Sequence, residues 1–271
     1  MLSWVDGQPA TQLSILDRGL AYGDGLFETI AVQRGQPRLL ARHLTRLQQG
    51  AQRLSLTLDL QVVQTELLAF CAELGEGVAK LIVTRGEGLR GYAPPQPSRP
   101  CRVLLGSPAP TYPSEHAEQG VRLFPCVTRL AEQPLLAGLK HLNRLEQVLA
   151  RAEWQNPAYA EGLMCDSAGR VIEGVYSNLF LCKDGELLTA ELSRCGVAGV
   201  MRAEVLAQAE ALGIAVHIRD ISRAELLAAD EVFLCNSLYG IWPVRELQGH
   251  DWPVGPLTRK LQAIIRSLLD S

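Results

Sequence analysis

Apolar positions along the chain fall into short alternating runs and a few helical stripes, separated by glycine and proline. The segment Trp4-Val5-Asp6-Gly7-Gln8 carries an Asp-Gly turn signal and predicts a hairpin. Leu26 to Val32 reads as a strand. From about Arg38 to Leu56, apolar residues at 40, 44, 47, 51 and 54 follow helical spacing, and a second amphipathic stretch runs from roughly Gln61 to Leu74. Lys80 to Thr84 reads as a buried strand and Arg102 to Gly106 as another. Between them Pro94, Pro95, Pro97 and Pro100 make Tyr92 to Pro100 a loop, because proline fixes φ and removes an amide donor.

Ser107 to Pro113 holds three prolines and predicts a linker. Beyond it, Leu142, Leu145, Val148 and Ala152 mark a helix from about Lys140 to Trp154. Short strands follow at Gly162 to Cys165, Arg170 to Glu173 and Tyr176 to Cys182, with turns at Ser167-Ala168-Gly169 and Asp184-Gly185. Gly199 to Leu212 is helical and stops at Gly213, a residue suited to the position just past a helix end. Ser222 and Glu225 have capping-box spacing. Asp230 to Cys235 reads as a strand, and Leu257, Leu261, Ile264 and Leu268 mark a C-terminal helix. This mixture predicts an α/β (α+β) protein of two unequal domains: a smaller one over 1–106, a linker over 107–120 and a larger one over 121–271.

Composition narrows the function classes. The chain has 271 residues, 47% of them hydrophobic and 20% charged, with a formal net charge of -3. That balance gives no reason to expect a nucleic acid or an acidic membrane as partner. The N-terminus lacks a basic segment followed by an apolar run, so no secretory signal is expected, and no apolar stretch approaches membrane-spanning length. Seven cysteines, odd in number and without C-x-x-C spacing, suit a reduced, cytoplasmic protein better than a disulfide framework. Five scattered histidines without H-E-x-x-H give a metal site little support, and none is expected.

Of 26 basic residues only four are lysines, so each merits a separate reading. Lys183 sits in a turn beside Asp184-Gly185 and Lys260 on the polar side of the last helix; both read as solvated. Lys80 suits a snorkelling residue on an edge strand. Lys140 follows the apolar Leu135-Leu136-Ala137-Gly138-Leu139 and opens the expected helix. There the macrodipole and an apolar setting both disfavour the ammonium, the condition for a nucleophilic, Schiff-base-forming amine. A surface lysine with apolar neighbours suits the same position.

A Schiff-base cofactor needs further groups. Glu173, in an apolar strand, could pair with a pyridinium nitrogen, or could be a charge on a solvated strand face. Gly196 to Met201 supplies glycines at a helix start, where amides hold phosphate, although a plain tight turn fits equally. Asn236-Ser237, after a strand, offers amide and hydroxyl donors, and Arg46 offers charge or is simply a solvated helix residue. Gly86-Glu87-Gly88-Leu89-Arg90-Gly91 matches G-x-G-x-x-G after a strand, but the proline run leaves no helix to receive a pyrophosphate. A glycine-rich turn presenting Arg90 and Tyr92 is the better reading.

Tyr22 to Glu28, the helix around His43 to Leu47, Lys140, Glu173 with Ser177-Asn178-Leu179-Phe180, and Gly196 to Arg202 resemble, in order and spacing, the fold-type IV pyridoxal-phosphate enzymes. That family includes branched-chain aminotransferases, D-amino-acid aminotransferases and 4-amino-4-deoxychorismate lyases; the likeness spans about residues 4 to 245. Arg85 to Tyr92 and Lys140 to Gln147 look like the lyase branch in particular. Tyr92 stands where D-amino-acid aminotransferases carry the histidine of an Arg-x-His carboxylate clamp.

The resemblance implies two domains joined by a short linker, with pyridoxal 5'-phosphate between them, in a homodimer whose partner loop closes each site. It implies that Lys140 holds the cofactor and is catalytic, that Glu173 faces its ring nitrogen and that Ser177 and Asn178 lie beside it. Arg46, Gly199, Val200, Asn236 and Ser237 would take the phosphate, and Arg90 and Tyr92 a substrate carboxylate. The implied reaction yields 4-aminobenzoate and pyruvate, a step towards folate. A D-amino-acid or branched-chain aminotransferase and a non-catalytic cofactor-carrying protein remain as alternatives.

Overall fold

The computed structural model describes residues 2–270. It divides into two compact units: the first runs to Thr111 and takes back Leu139–Asn143, and the second comprises Tyr112–Gly138 and the chain from Arg144 onward.

In the first unit β1 (Ser3–Val5), β2 (Gln8–Pro9), α1 (Arg18–Tyr22), β3 (Gly25–Gln33), β4 (Gln36–Pro37), α2 (Leu40–Arg53), α3 (Leu60–Leu74), β5 (Gly77–Thr84) and β6 (Cys101–Ser107) follow in order. The strands form one antiparallel sheet ordered β2-β1-β6-β5-β3-β4. In β3, Leu26, Glu28, Ile30 and Val32 are buried while Phe27, Thr29 and Ala31 are only half-buried, the two-residue period of a strand. The buried face packs on α2 and α3 through Leu47, Ala51, Val63, Leu67 and Phe70. The proline-rich segment after β5 is a loop. Gly86 turns it at φ +82°, where a Cβ would lie 1.9 Å from the Arg99 carbonyl oxygen.

The second unit contains α4 (Ser114–Glu118), β7 (Val121–Leu130), α5 (Leu145–Ala152), β8 (Tyr159–Asp166), β9 (Val171–Gly174), β10 (Asn178–Lys183), β11 (Glu186–Ala190), α6 (Val200–Ala211), β12 (Val216–Arg219), α7 (Arg223–Leu227), β13 (Glu231–Asn236), β14 (Gly240–Leu247), β15 (His250–Asp251) and α8 (Pro256–Asp270). Its sheet runs β12-β11-β10-β13-β14-β7-β8-β9, with β15 on β14. Because β9 pairs with both β8 and β10, six strands close into a ring, and the closing pair is Glu173 opposite Asn178. The capping box of α7 forms as its spacing predicts: the Ser222 hydroxyl accepts from the Glu225 amide while the Glu225 carboxylate accepts from the Ser222 amide. No helix among the described residues is long and apolar enough to cross a membrane.

The structure corrects several expectations. Where a linker over 107–120 was expected, β6 reaches Ser107, and Tyr112 packs its ring on Trp242 in the second unit. Lys140 does not open a helix, since α5 starts only at Leu145. Residues 139–143 instead lie along the free edge of β3. The Phe27 amide donates to the Lys140 carbonyl (2.9 Å) and the Leu142 amide to the Gly25 carbonyl (3.0 Å). Those bonds hold the backbone extended, so the macrodipole argument for Lys140 falls. Lys80 is on no edge: β5 lies between β6 and β3, and Lys80 projects from its exposed face opposite Thr29. The strand expected from Tyr176 begins at Asn178, because Gly174–Ser177 form a turn closed by the Gly174 amide on the Ser177 carbonyl (2.7 Å).

Candidate active site

In the first unit the motif Tyr22-Gly23-Asp24-Gly25 builds a corner. Gly23 ends α1 in the left-handed region (φ +63°), and Asp24 accepts from Arg18 (2.9 Å) and Arg85 (2.7 Å). Burial pushes the Asp24 carboxyl up, but these two guanidiniums prevail and hold it below its usual range. Gly25 must lack a Cβ, which would sit 2.4 Å from the Val83 carbonyl oxygen. The corner sets the start of β3, and with it Phe27.

Two ammonium groups converge on the Phe27 ring: Lys140 Nζ at 4.4 Å and Lys80 Nζ at 5.2 Å from its centroid. Half the lysines of the chain therefore share one aromatic side chain, with half-buried Thr29 next along the same face. The other two lie elsewhere: Lys183 pairs with Asp230 (2.9 Å) at the surface, and Lys260 is exposed on α8. Spacing had set Lys80 aside; only strand register brings it to Lys140.

On the opposite face of β3, Glu28 is buried and receives Arg46 of α2 as a fork, Nε at 2.8 Å on Oε1 and the second nitrogen on Oε2. His43 Nδ1 lies 2.5 Å from Oε2. Burial would push the Glu28 carboxyl up, but the Arg46 charge and the His43 hydrogen bond overcome it and hold it at about 2. Burial likewise holds His43 below its usual value, against the pull of Glu28. In the sequence Arg46 is a candidate site residue, whereas Glu28 and His43 stand only within the motifs that carry the resemblance, with no role of their own.

Arg90 and Tyr92 are exposed on the loop after β5. Arg18 anchors that loop by donating to the Gly91 and Tyr92 carbonyls (both 3.0 Å), and the Gly91 amide donates to the Tyr22 hydroxyl (3.1 Å).

In the second unit Glu173, Asn178 and the entry to α6 meet. The Glu173 carboxylate is 4% exposed and accepts from the Val197 amide (2.9 Å) and Asn178 Nδ2 (3.3 Å). Asn178 Nδ2 also donates to the Val197 carbonyl (2.9 Å). Gly199 caps α6 with no side-chain hydrogen bond to the helix's first turn, and a Cβ there would fall 2.0 Å from Asn178 Oδ1. Glu173 is thus no solvated charge. Val200, the first helical residue, is buried. Ser177 turns away to donate to Glu161 (2.8 Å). The Asn236 carboxamide oxygen builds the next turn by accepting from the Leu238 (2.9 Å) and Tyr239 (3.0 Å) amides, with half-buried Ser237 inside that turn.

In the first unit a lysine amine over an aromatic ring is a group of the kind that takes an aldehyde; in the second, a buried carboxylate beside a helix start without a side-chain cap is of the kind that takes a ring nitrogen and a phosphate. Residues 25–247 match the family described as amino-transferase class IV. The chain belongs to that family. It is 38% identical to an aminodeoxychorismate lyase of Vibrio harveyi over 96% of this chain and 97% of the relative. It is similar across the full length of both chains to the crystal structure of 4-amino-4-deoxychorismate lyase from Pseudomonas aeruginosa, at 67% identity and a TM-score of 0.98. The branched-chain amino acid aminotransferase of Escherichia coli is more distant, at 25% identity over 99% of this chain and 94% of that one, with a TM-score of 0.85.

Proposed function

We propose that this chain is a pyridoxal-phosphate-dependent lyase that converts 4-amino-4-deoxychorismate to 4-aminobenzoate and pyruvate, the activity named for its Vibrio and Pseudomonas relatives. The observation that carries the reading is Lys140, extended along β3 with its amine over Phe27 and a second cation, Lys80, on the same ring. A nucleophilic amine beside a spare positive charge suits a substrate bearing both an amine and carboxylates.

The residues present fit the cofactor. Lys140 would hold its aldehyde carbon and Glu173 its ring nitrogen. The Gly199 and Val200 amides would take the phosphate with Arg46 and Asn236-Ser237, and Asn178 keeps Glu173 in place. When bound, the cofactor supplies an electron sink for the pair left as a proton departs beside the substrate amine. Lys140 Nζ, set free once the substrate amine has taken its place, removes that proton from the ring carbon bearing the amine. Glu173 keeps the opposing nitrogen protonated. As the ring–oxygen bond breaks, Lys140 Nζ returns the proton to the methylene carbon of the departing enolpyruvyl group, so pyruvate leaves and the ring becomes aromatic. Lys80 and Arg90 meet the substrate carboxylates, and Tyr92 lines the same loop.

The exposed Val127, Leu145, Val148 and Leu149 of the second unit support a homodimer, and seven free cysteines, none in a disulfide, support a cytoplasmic setting. Sedimentation as a single-chain species would contradict the dimer.

The deciding experiment incubates the purified protein with 4-amino-4-deoxychorismate and no oxo acid. Fluorescent 4-aminobenzoate is expected, and Lys140→Ala should abolish both product and the borohydride-reducible visible band. Turnover that requires a 2-oxo acid acceptor would replace the lyase reading with a transaminase.

A further inference from the structure

Glu161 of β8 is 0% exposed, and no cation pairs with it among the described residues. A buried unpaired carboxylate is expensive for a fold to retain, so the groups around it define its use. Four donors converge on it: the Gly162 amide (2.9 Å), the Val175 amide (3.0 Å), the Tyr176 amide (3.3 Å) and the Ser177 hydroxyl (2.8 Å). Three of the four come from consecutive residues of the turn joining β9 to β10. The turn is wrapped tightly: a Cβ on Gly174 would meet Ser177 Oγ at 2.2 Å and the Glu161 carboxyl at 3.0 Å.

The two ends of that turn are Glu173 and Asn178, the pair that closes the ring of strands. Both also bind Val197, two residues before the Gly199 cap of α6. A shift of the turn therefore moves the carboxylate and the helix entry together.

We propose that Glu161 is a positioning residue that pins the Val175–Ser177 turn and thereby fixes Glu173 and Asn178 against the cofactor. The inference rests on the cofactor reading above. Burial pushes the Glu161 carboxyl up to about 7, against the pull of its four donors. Its titratable neighbours are Tyr112, Tyr176, Tyr239 and Cys126, all raised by burial and therefore neutral at that pH. Glu161 is thus the group of this cluster that changes charge near neutrality. Its ionised form makes the stronger, charge-assisted bonds to the turn.

The test uses pyridoxamine 5'-phosphate, which carries ring and phosphate but no aldehyde, bound to wild type and to Glu161→Gln between pH 5.5 and 8.5. At pH 8 the variant should bind about tenfold more weakly, while its thermal midpoint stays within a few degrees of wild type. Wild-type affinity should rise with pH through about 7 by a component that the variant lacks. The ligand's own titrations are common to both proteins and cancel in the comparison. Superimposable affinities and pH profiles would overturn the proposal. Should Glu161→Gln not fold, Ser177→Ala removes one donor to the anion and should move the inflection to higher pH; an unmoved inflection would equally overturn it. Absence of binding to wild type is a different outcome, and would overturn the cofactor reading with it.

Discussion

Lys80 crosses the exposed face of a central strand to reach the ring that Lys140 also reaches, and its value lies in charge rather than burial. Lys80→Met keeps most of the stem and removes the ammonium. KM for the substrate should rise about tenfold or more while kcat changes little, the signature of binding lost equally in ground and transition states. Steady-state kinetics decide it; an unchanged KM would remove Lys80 from the site. At Glu173 the opposite split is expected. Glu173→Gln should retain the cofactor's visible band but slow kcat by about 100-fold or more, because a neutral amide no longer holds the ring nitrogen protonated. Lys140 and Glu173 stand out in the sequence as candidates because each is chemically out of place among apolar neighbours. Lys80, Glu28 and Glu161 do not, because each draws its meaning from a cross-strand or cross-element partner that no local pattern encodes. One ground for the choice of Lys140 fails, since its backbone is extended and not helical.

At the scale of elements, the contact between β10 and α6 holds the candidate residues of the second unit together. Gly199 has an ordinary φ of -67°, so its lack of a side chain serves space and not backbone freedom. Gly199→Ala should drive the Asn178 carboxamide out of its bonds to Glu173 and Val197, destabilising the fold by about 1–3 kcal/mol through buried groups left unpaired. In Asn178→Ala the obstructing oxygen is gone, so adding Gly199→Ala should cost much less than it does alone. Urea melts of the two single variants and the double variant measure that coupling, and strict additivity would refute the contact. Elements with strong periodicity, α2, α3 and α8, were readable, and so were the Asp6-Gly7 hairpin and the capping box of α7. β7 and β14 were hidden by Pro125 and Pro243, which demote a strand on sequence grounds. β7 accommodates its proline where the register with β8 slips, and β14 places Pro243 opposite Phe233.

Across the whole molecule, each unit holds a buried glutamate displaced from its ordinary range, Glu28 downward and Glu161 upward. Glu28 titrates near 2 when folded and near 4.5 otherwise, so the stability it contributes is complete above pH 4.5 and is lost as pH falls towards 2. Glu161 titrates near 7 when folded, so its contribution is complete below pH 4.5 and is lost as pH rises through 7. His43, held low by burial, adds to the acid-side loss below its ordinary 6.5. Comparing variants with wild type separates these limbs. The stability advantage of wild type over Glu161→Gln should shrink as pH climbs from 4.5 to 7 and then level off. Its advantage over Glu28→Gln should hold at neutral pH and vanish in acid. Urea denaturation from pH 3 to 8 measures both curves. A Glu161→Gln protein that loses stability between pH 5 and 7 as steeply as wild type would show that another group titrates there. The expected pattern means that the ionised Glu161 weakens the fold over the same pH range in which it tightens the turn beneath Glu173. A side chain kept only for packing has no reason to combine those two effects, whereas one that holds a site in place does.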